Sequence, residues 1–305
     1  MHMRIYKIAV INLGSTSTKI AYYENENCLF KDNIVHTARA LEGFSTIWEQ
    51  FEFRKQAIEA YLKEKGILIS GLDAVVTRGG HTEPIVGGVY RITRKMLEQS
   101  ASEKYGNHAT DLGLKLAYEF SAQGPQAFTV DPPTTDEFEA LARYSGLPQI
   151  KRRSSFHVLN HRAAGRQYAK DSGKDYRDLN LVVIHMGGGI SIAAHKKGRL
   201  VDANNAIDGD GPFSTNRCCS VPIGDLIKMC YSGTYTYPEI RRLINGNAGL
   251  MAYVGENDVK TVEERAAAGD QACGEALDAM CYQIAKEVGA AATVLMGEVD
   301  AIVFT

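Results

Sequence analysis

Along the chain, short runs of apolar and β-branched residues are cut by polar, glycine-bearing turns, and the alternation is sharpest over residues 180–217. Residues 181–184 read Leu-Val-Val-Ile, a run short enough and β-branched enough to predict a buried strand. The run ends in His185 and Met186 and is followed by Gly187, Gly188 and Gly189. Without a Cβ, such residues can bring their backbone N–H groups together on an anion. A second strand is predicted over 190–195, a turn at Lys196, Lys197 and Gly198, and a third strand over 199–203. Two acidic glycine turns follow, Asp208 with Gly209 and Asp210 with Gly211, and Arg217 lies just beyond them.

The same order of signals occurs near the N-terminus. Residues 7–11 predict a strand, 12–19 (Asn-Leu-Gly-Ser-Thr-Ser-Thr-Lys) a polar turn, 20–23 a second strand, 24–27 a turn and 28–35 a third strand. Laid over each other, Asn12 meets His185, Leu13 meets Met186 and Gly14 meets Gly187. Two copies of one strand-turn-strand unit predict an internally duplicated protein with a phosphate turn on each wall of a cleft. Two ordinary hairpins that happen to look alike would leave the same trace.

Between the repeats the periodicity changes. Thr46 with Glu49 forms a capping box, and Ile47, Trp48, Phe51, Ile58, Tyr61 and Leu62 fall on one helical face that reads as core. Residues 72–76 predict a buried strand ending in Thr77, Arg78, Gly79 and Gly80. Arg78 is placed either to face a ligand or to sit beside a tight surface turn. Helices are predicted over 94–105 and 109–120, and a strand over 127–130 with Asp131 just past its end. Asp131 reads equally as a ligand- or metal-facing carboxylate and as a turn residue. Thr134 with Glu137 predicts a further helix start. The composition shifts near Leu147 and Pro148, so the domains are expected over 1–150 and 151–305, with the basic run 151–153 as a solvated face. His157 and His161 stand four apart on the next predicted helix, without the glutamate or third ligand of a zinc site. Beyond Arg217 the chain reads as mostly helical, with caps at Thr236 and Thr261, a long helix over 272–296 and a strand from 300.

Composition narrows the classes. The 305 residues have a net charge of −2 and ordinary apolar content, so nucleic acid and membrane surfaces are not indicated as partners. No apolar run reaches the length of a membrane span, and the first residues do not read as a signal peptide. The cysteines, Cys28, Cys218, Cys219, Cys230, Cys273 and Cys281, form no Cys-x-x-Cys pair, and reduced thiols in a cytoplasmic protein are expected. There is no P-loop, complete Rossmann fingerprint or Gly-x-Ser-x-Gly elbow. Two phosphate turns with two arginines and an aspartate beside turns fit phosphoryl transfer, in which positioning and charge neutralisation dominate.

The stretch 12–19 resembles the first phosphate motif of the acetate and butyrate kinases, and 185–191 (His-Met-Gly-Gly-Gly-Ile-Ser) resembles their second. The triple glycine, residues 77–80, 107–109, 202–205 and 208–213 are more similar to the butyrate kinase branch, and the likeness runs in order along essentially the whole chain. The resemblance implies an α/β, duplicated actin-like ATPase (ribonuclease H-like) fold with two domains around a nucleotide cleft. It implies an acyl kinase that uses ATP and Mg²⁺ and takes a short-chain carboxylate as substrate. Acetate or propionate kinase is the alternative within enzymes, and a non-catalytic actin-like nucleotide-binding protein the alternative outside them.

By the same resemblance, Arg78 and Arg217 clamp the carboxylate and the phosphoryl group, Asp131 serves Mg²⁺ and His157 donates to the transferring phosphoryl. Asn12 and Ser15 are expected near the γ-phosphate and His185 with Gly187, Gly188 and Gly189 near the β-phosphate; Gly14, Thr16, Ser17, Lys19, Asp208 and Gly209 are expected to bind the nucleotide as well. A homo-oligomer, a dimer or higher, is expected. The family's glycine-rich adenosine turn would lie beyond Thr305, which makes the chain about fifty residues shorter than the family pattern.

Overall fold

A computed structural model describes residues 4–207 and 209–305; the expectation for Asp208 lies outside the described residues. The chain forms two compact units, Met1–Thr135 and Asp136–Thr305.

The first unit is built on a sheet in the order β3-β2-β1-β4-β6-β5, with β1 (Lys7–Leu13), β2 (Ser17–Glu24), β3 (Asn27–Val35), β4 (Ala74–Thr77), β5 (Val89–Arg91) and β6 (Gln126–Val130). Strands β1, β4 and β6 run parallel, with Ile11 beside Thr77 and Thr77 beside Thr129. Helices α1 (Ala38–Leu41), α2 (Phe51–Glu64), α3 (Arg94–Ala101) and α4 (Asp111–Ser121) complete it. One core joins Ala9, Ile11 and Leu13 of β1 to Phe51, Ile58 and Leu62 of α2 and Leu112, Leu116 and Phe120 of α4. Burying each of the Leu, Ile and Phe side chains among them contributes about 1.5–3 kcal/mol relative to exposure. The strand alternates buried and half-buried positions, so its register cannot slip by one without turning Ile11 outward.

The second unit carries a sheet ordered β10-β7-β8-β9, with β7 (Asn180–Met186), β8 (Ile190–Lys196), β9 (Arg199–Ala203) and β10 (Ala301–Phe304). Its helices are α5 (Val158–Asp171), α6 (Ile223–Cys230), α7 (Tyr237–Ile244), α8 (Gly249–Val254), α9 (Val259–Ala267) and α10 (Gln271–Val294). Strand β7 carries an unbroken apolar run over residues 181–184 because both its faces are covered there. Leu181 and Val183 pack in a cluster with Ala169 of α5, and Val182 and Ile184 in one with Met280 and Ile284 of α10.

The duplication is visible strand by strand. Each unit contains an antiparallel three-strand meander, and its first strand is flanked on the other side by a parallel strand: β3-β2-β1-β4 in one, β9-β8-β7-β10 in the other. The register breaks between Tyr22 and Tyr23 in the first meander and between Ala194 and His195 in the second. Tyr22 lies four residues beyond Thr18, which pairs with Leu13; Ala194 lies four beyond Ile190, which pairs with Met186. The bulges therefore correspond, with a second turn one residue shorter.

Several sequence expectations need correction. The division falls at Thr135/Asp136 rather than near 150, because the intervening segment is tied into the second unit. Glu137 is buried against Arg162 at 2.9 Å and accepts from the Leu200 N–H, and Glu139 N–H donates to Val201 O. The same engagement explains why Thr134 and Glu137 start no helix: the Glu137 carboxylate is held elsewhere. Arg152, read as part of a solvated run, bonds Asp202, Ala142 O and Ala203 O. Helix α9 is capped by Asp258, with Thr261 inside the helix. His157 occupies the N-cap position of α5 instead of lying within the helix.

Candidate active site

In the first unit, the carboxyl ends of the parallel strands carry the candidate residues, where ligands gather in α/β sheets. Asn12 lies at the end of β1, Arg78 follows β4 and Asp131 follows β6. Asn12 pairs with Lys19 across β1 and β2, and its side chain has no partner among the described residues. Arg78 is largely buried and likewise has no hydrogen-bond or ion-pair partner among the described residues; burial pulls its pKa down. A desolvated guanidinium with free donors is an anion receptor. The Asp131 side chain is buried, its φ of 41° is positive, and its N–H donates to Gly88 O. Mg²⁺ commonly takes one or two carboxylates and completes its shell with water and phosphate oxygens, so a single carboxylate at a strand end fits that ion.

The turn after β1 is held from below. Gly14 N–H donates to Ser17 O at 2.7 Å, and Arg54 of α2, 1% exposed, donates to Gly14 O at 2.8 Å and Ser15 O at 2.7 Å. Its Nε donates to Gln50 Oε1 at 3.0 Å. Ser15 Oγ lies 3.4 Å from His108 Nε2, and the His108 pKa is lowered by burial and then by His81 and Arg78. Buried Asp111 fixes the loop after Arg78, accepting from His81 N–H at 2.6 Å and His108 N–H at 2.8 Å.

Sequence reasoning missed both Arg54 and Asp111. Arg54 had a signal: it lies three residues after Phe51 and four before Ile58, a charge set inside the apolar stripe. Asp111 had none beyond its place at a helix start.

In the second unit, a different chemistry surrounds the matching turn. Gly187 N–H donates to Gly189 O at 3.2 Å, closing the three-glycine turn. Arg217 lies against it: a Cβ at Gly189 would overlap the Arg217 guanidinium and come within 2.8 Å of Ala206 O, whereas one at Gly188 would meet nothing. Arg217 donates to Ala206 O, its N–H donates to Ser214 Oγ, and Ser214 Oγ donates to Gly188 O at 2.7 Å. The arginine and the turn are thus one hydrogen-bonded piece. Gly209 packs so tightly on Asn205 that a Cβ there would overlap its side chain.

Histidines line the other side of this turn. The rings of His157 and His185 stack at 3.8 Å between centroids. Ser191 Oγ bridges His157 Nδ1 at 3.0 Å and His161 Nε2 at 2.8 Å. The pair four apart therefore meets a hydroxyl. Burial holds His161 well below its ordinary pKa, with further push from His195, His157 and His185. His195, fully buried and bonded to Tyr176 Oη at 2.8 Å, is lowered to about 3, chiefly by burial. Cys218 and Cys219 adjoin Arg217, and burial raises the Cys219 thiol to about 12, which removes it as a nucleophile at neutral pH.

Beside Gly187 and Gly188 lies an open pocket of about 550 Å³, lined also by Met186, Thr215, Asn216, Asp258 and Met280. A second pocket, about 560 Å³, lies at the opposite strand ends of the first unit, by Arg4, Asp73 and Gln126, and holds none of the candidate residues. No helix among the described residues is long and apolar enough to cross a membrane.

Comparison with known proteins gives consistent findings. The pattern of the Acetokinase family matches residues 140–305. Butyrate kinase 2 of Clostridium acetobutylicum is 47% identical over 301 residues, covering 98% of this chain and 85% of that protein. A probable butyrate kinase of Listeria innocua is 46% identical with the same coverage. Among solved structures, the acetate kinase of Porphyromonas gingivalis superposes with a TM-score of 0.80 at 21% identity, covering 97% of this chain and 82% of that one. A propionate kinase from Francisella tularensis gives 0.73 at 19% identity, with coverage of 97% and 82%. These likenesses to solved structures agree in fold with the two-sheet, duplicated α/β architecture.

Proposed function

The chain belongs to the acetokinase family, and from that premise we propose that it transfers the γ-phosphoryl group of ATP reversibly to a short-chain carboxylate, butyrate or a branched analogue, giving acyl phosphate and ADP. The observation that carries the reading is that each unit joins an anion-receptive turn to an arginine: Arg78 stands free at a strand end in one, and Arg217 is fused to the glycine turn in the other. The named butyrate kinases, at 46–47% identity, favour the longer acyl chain.

The chemistry asks for positive charge and not for a base. A short-chain carboxylic acid has a pKa of about 4–5, so the nucleophile is ionised at neutral pH. The obstacle is bringing one anion against another. Arg78 suits the carboxylate, because its donors are free and burial partly desolvates it. Arg217 suits the phosphoryl in transfer, because its hydrogen bonds fix it before charge develops. His157, oriented by Ser191 and the His185 ring, donates to the same oxygens. Asp131 would hold Mg²⁺, which supplies charge neutralisation on the phosphates. The turn at Asn12, Gly14 and Ser15 is assigned to the γ-phosphate, the turn at 187–189 to the β-phosphate and the adjoining pocket to the rest of the nucleotide. A homo-oligomer in the cytoplasm completes the reading; light scattering that returns only the 33.4 kDa monomer would remove the first part.

The test is a panel of acetate, propionate, butyrate and isobutyrate with ATP and Mg²⁺, trapping acyl phosphate with hydroxylamine. Butyrate or isobutyrate should give the highest kcat/KM. One added methylene changes discrimination by about 10–200-fold, so the panel resolves the choice. Acetate as the best substrate would move the chain to the acetate branch, and no hydroxamate from any acid would refute the kinase reading.

A further inference from the structure

The first unit buries a cation that holds the turn after β1 yet has no counterion among the described residues. Arg54 is 1% exposed, and its partners are the carbonyls of Gly14, Ser15 and, at 3.5 Å, Ser17, and the amide oxygen of Gln50. No carboxylate among the described residues pairs with it. Such a charge is costly without a counterion. Burial lowers its pKa, and its field lowers that of His36 nearby.

The geometry of the turn says where the counterion belongs. In a planar trans peptide the C=O and the next residue's N–H point in opposite directions. Arg54 draws the carbonyls of Gly14 and Ser15 inward, so the N–H groups of Ser15 and Thr16 point away from it. Both residues are exposed, and neither N–H has a partner among the described residues. Two adjacent free N–H groups form an anion-binding nest. The arginine thus fixes the nest and also charges it from behind.

We propose that Arg54 is a positioning residue for the nucleotide's phosphates, holding the Ser15 and Thr16 N–H groups outward and leaving its own charge to be neutralised only when a polyphosphate occupies the turn. The inference rests on the phosphate-binding part of the function proposed above. It separates from a merely structural role, because a structural arginine would gain from a nearby carboxylate while a phosphate-charging arginine would be spoiled by one.

Gln50→Glu makes that distinction, since it keeps the hydrogen bond to Arg54 Nε and supplies the missing negative charge. Wild type, Gln50→Glu, Arg54→Lys and Arg54→Met are titrated calorimetrically with magnesium tripolyphosphate, and their thermal unfolding is followed in parallel. Gln50→Glu should raise Tm and weaken tripolyphosphate binding about tenfold, as expected for opposing charge a few ångströms from the anion. Arg54→Lys should bind more tightly than Arg54→Met, yet lose kcat because one ammonium cannot hold both carbonyls. If Arg54→Met does not fold, Gln50→Glu decides. Unchanged tripolyphosphate affinity in Gln50→Glu overturns the proposal, as does a wild type that does not bind tripolyphosphate. A wild type that binds it but forms no acyl hydroxamate refutes the kinase reading and leaves this inference standing.

Discussion

The two phosphate turns share a strand order, a register and a bulge, yet they are armed in opposite ways. The first is a hydroxyl-bearing turn whose cation, Arg54, lies underneath and whose second arginine, Arg78, is uncommitted. The second is bare glycine, with its arginine laid directly on the turn and bonded there. Duplication supplies a backbone that presents N–H groups at a strand end, and the surrounding side chains then differentiate the copies. A free, desolvated guanidinium suits an exchanging carboxylate. A guanidinium locked by Ala206 O and the Ser214 relay suits charge that develops in one fixed place.

The sharpest break of this comparison is at Arg217. Arg217→Ala should lower kcat about 10²-fold or more, whereas Cys218→Ser and Cys219→Ser next to it should change kcat far less. Cysteine variants that fail while Arg217→Ala survives would transfer the chemistry to a thiol and contradict the assignment. Next in size is the glycine pair. Gly189→Ala drives a methyl into Arg217 and Ala206 O and should cost about tenfold to 10²-fold in kcat/KM, while Gly188→Ala, with open space, should stay near wild type. Equal effects would show that the turn and the arginine are not one piece.

A smaller loss is expected at the hydroxyl that ties His157 to His161. Ser191→Ala should lower kcat about tenfold with little change in nucleotide KM, because it releases a donor's orientation and not a binding contact. In the first unit, Ser15→Ala keeps the N–H groups of the turn and removes a hydroxyl with one long contact, to His108, so it should shift KM for ATP a few-fold at most, on the order of one weak hydrogen bond. An equal kcat loss at Ser15 would erase the difference between the turns.

The mildest effect is on stability against pH. His195 is neutral in the fold, with a pKa of about 3 against an ordinary 6.5. As pH falls below 6.5 the unfolded chain takes up a proton that the folded chain refuses, so stability is lost progressively down to about 3 and is then level. His161 shifts in the same direction. Hydrogen exchange at pH 5 compared with pH 7 should therefore show β7, β8 and α5 losing protection. His195→Phe should flatten that dependence; an unchanged slope would show that His195 does not carry it.

The features legible in the sequence are those that repeat or obey a period. The alternation in 7–13, the continuous run at 181–184 and the Asn12/His185 correspondence fixed the sheets and the duplication, because burial on one or two faces leaves a direct mark on polarity. Glu137 misled, since a capping signature cannot announce that Arg162, twenty-five residues on, will claim the carboxylate. Arg152 misled in the same way, its partners Asp202 and Ala203 being distant in sequence. Ser191 as a bridge between two histidines needed the fold to bring α5 onto β8. Arg54 could have been found, but the apolar residues around it read as a core face and the cation set among them carries no motif of its own.

The central claim is that a carboxylate oxygen of the acid attacks phosphorus directly. Incubating the protein with ATP, Mg²⁺ and butyrate labelled with ¹⁸O in both carboxyl oxygens, then cleaving the product with hydroxylamine, tests it. Hydroxylamine attacks the acyl carbon, so the bridging oxygen stays on phosphorus. The account predicts inorganic phosphate carrying one ¹⁸O, formed together with butyryl hydroxamate. Unlabelled phosphate, released with no hydroxamate, would mean that water is the acceptor and would contradict it.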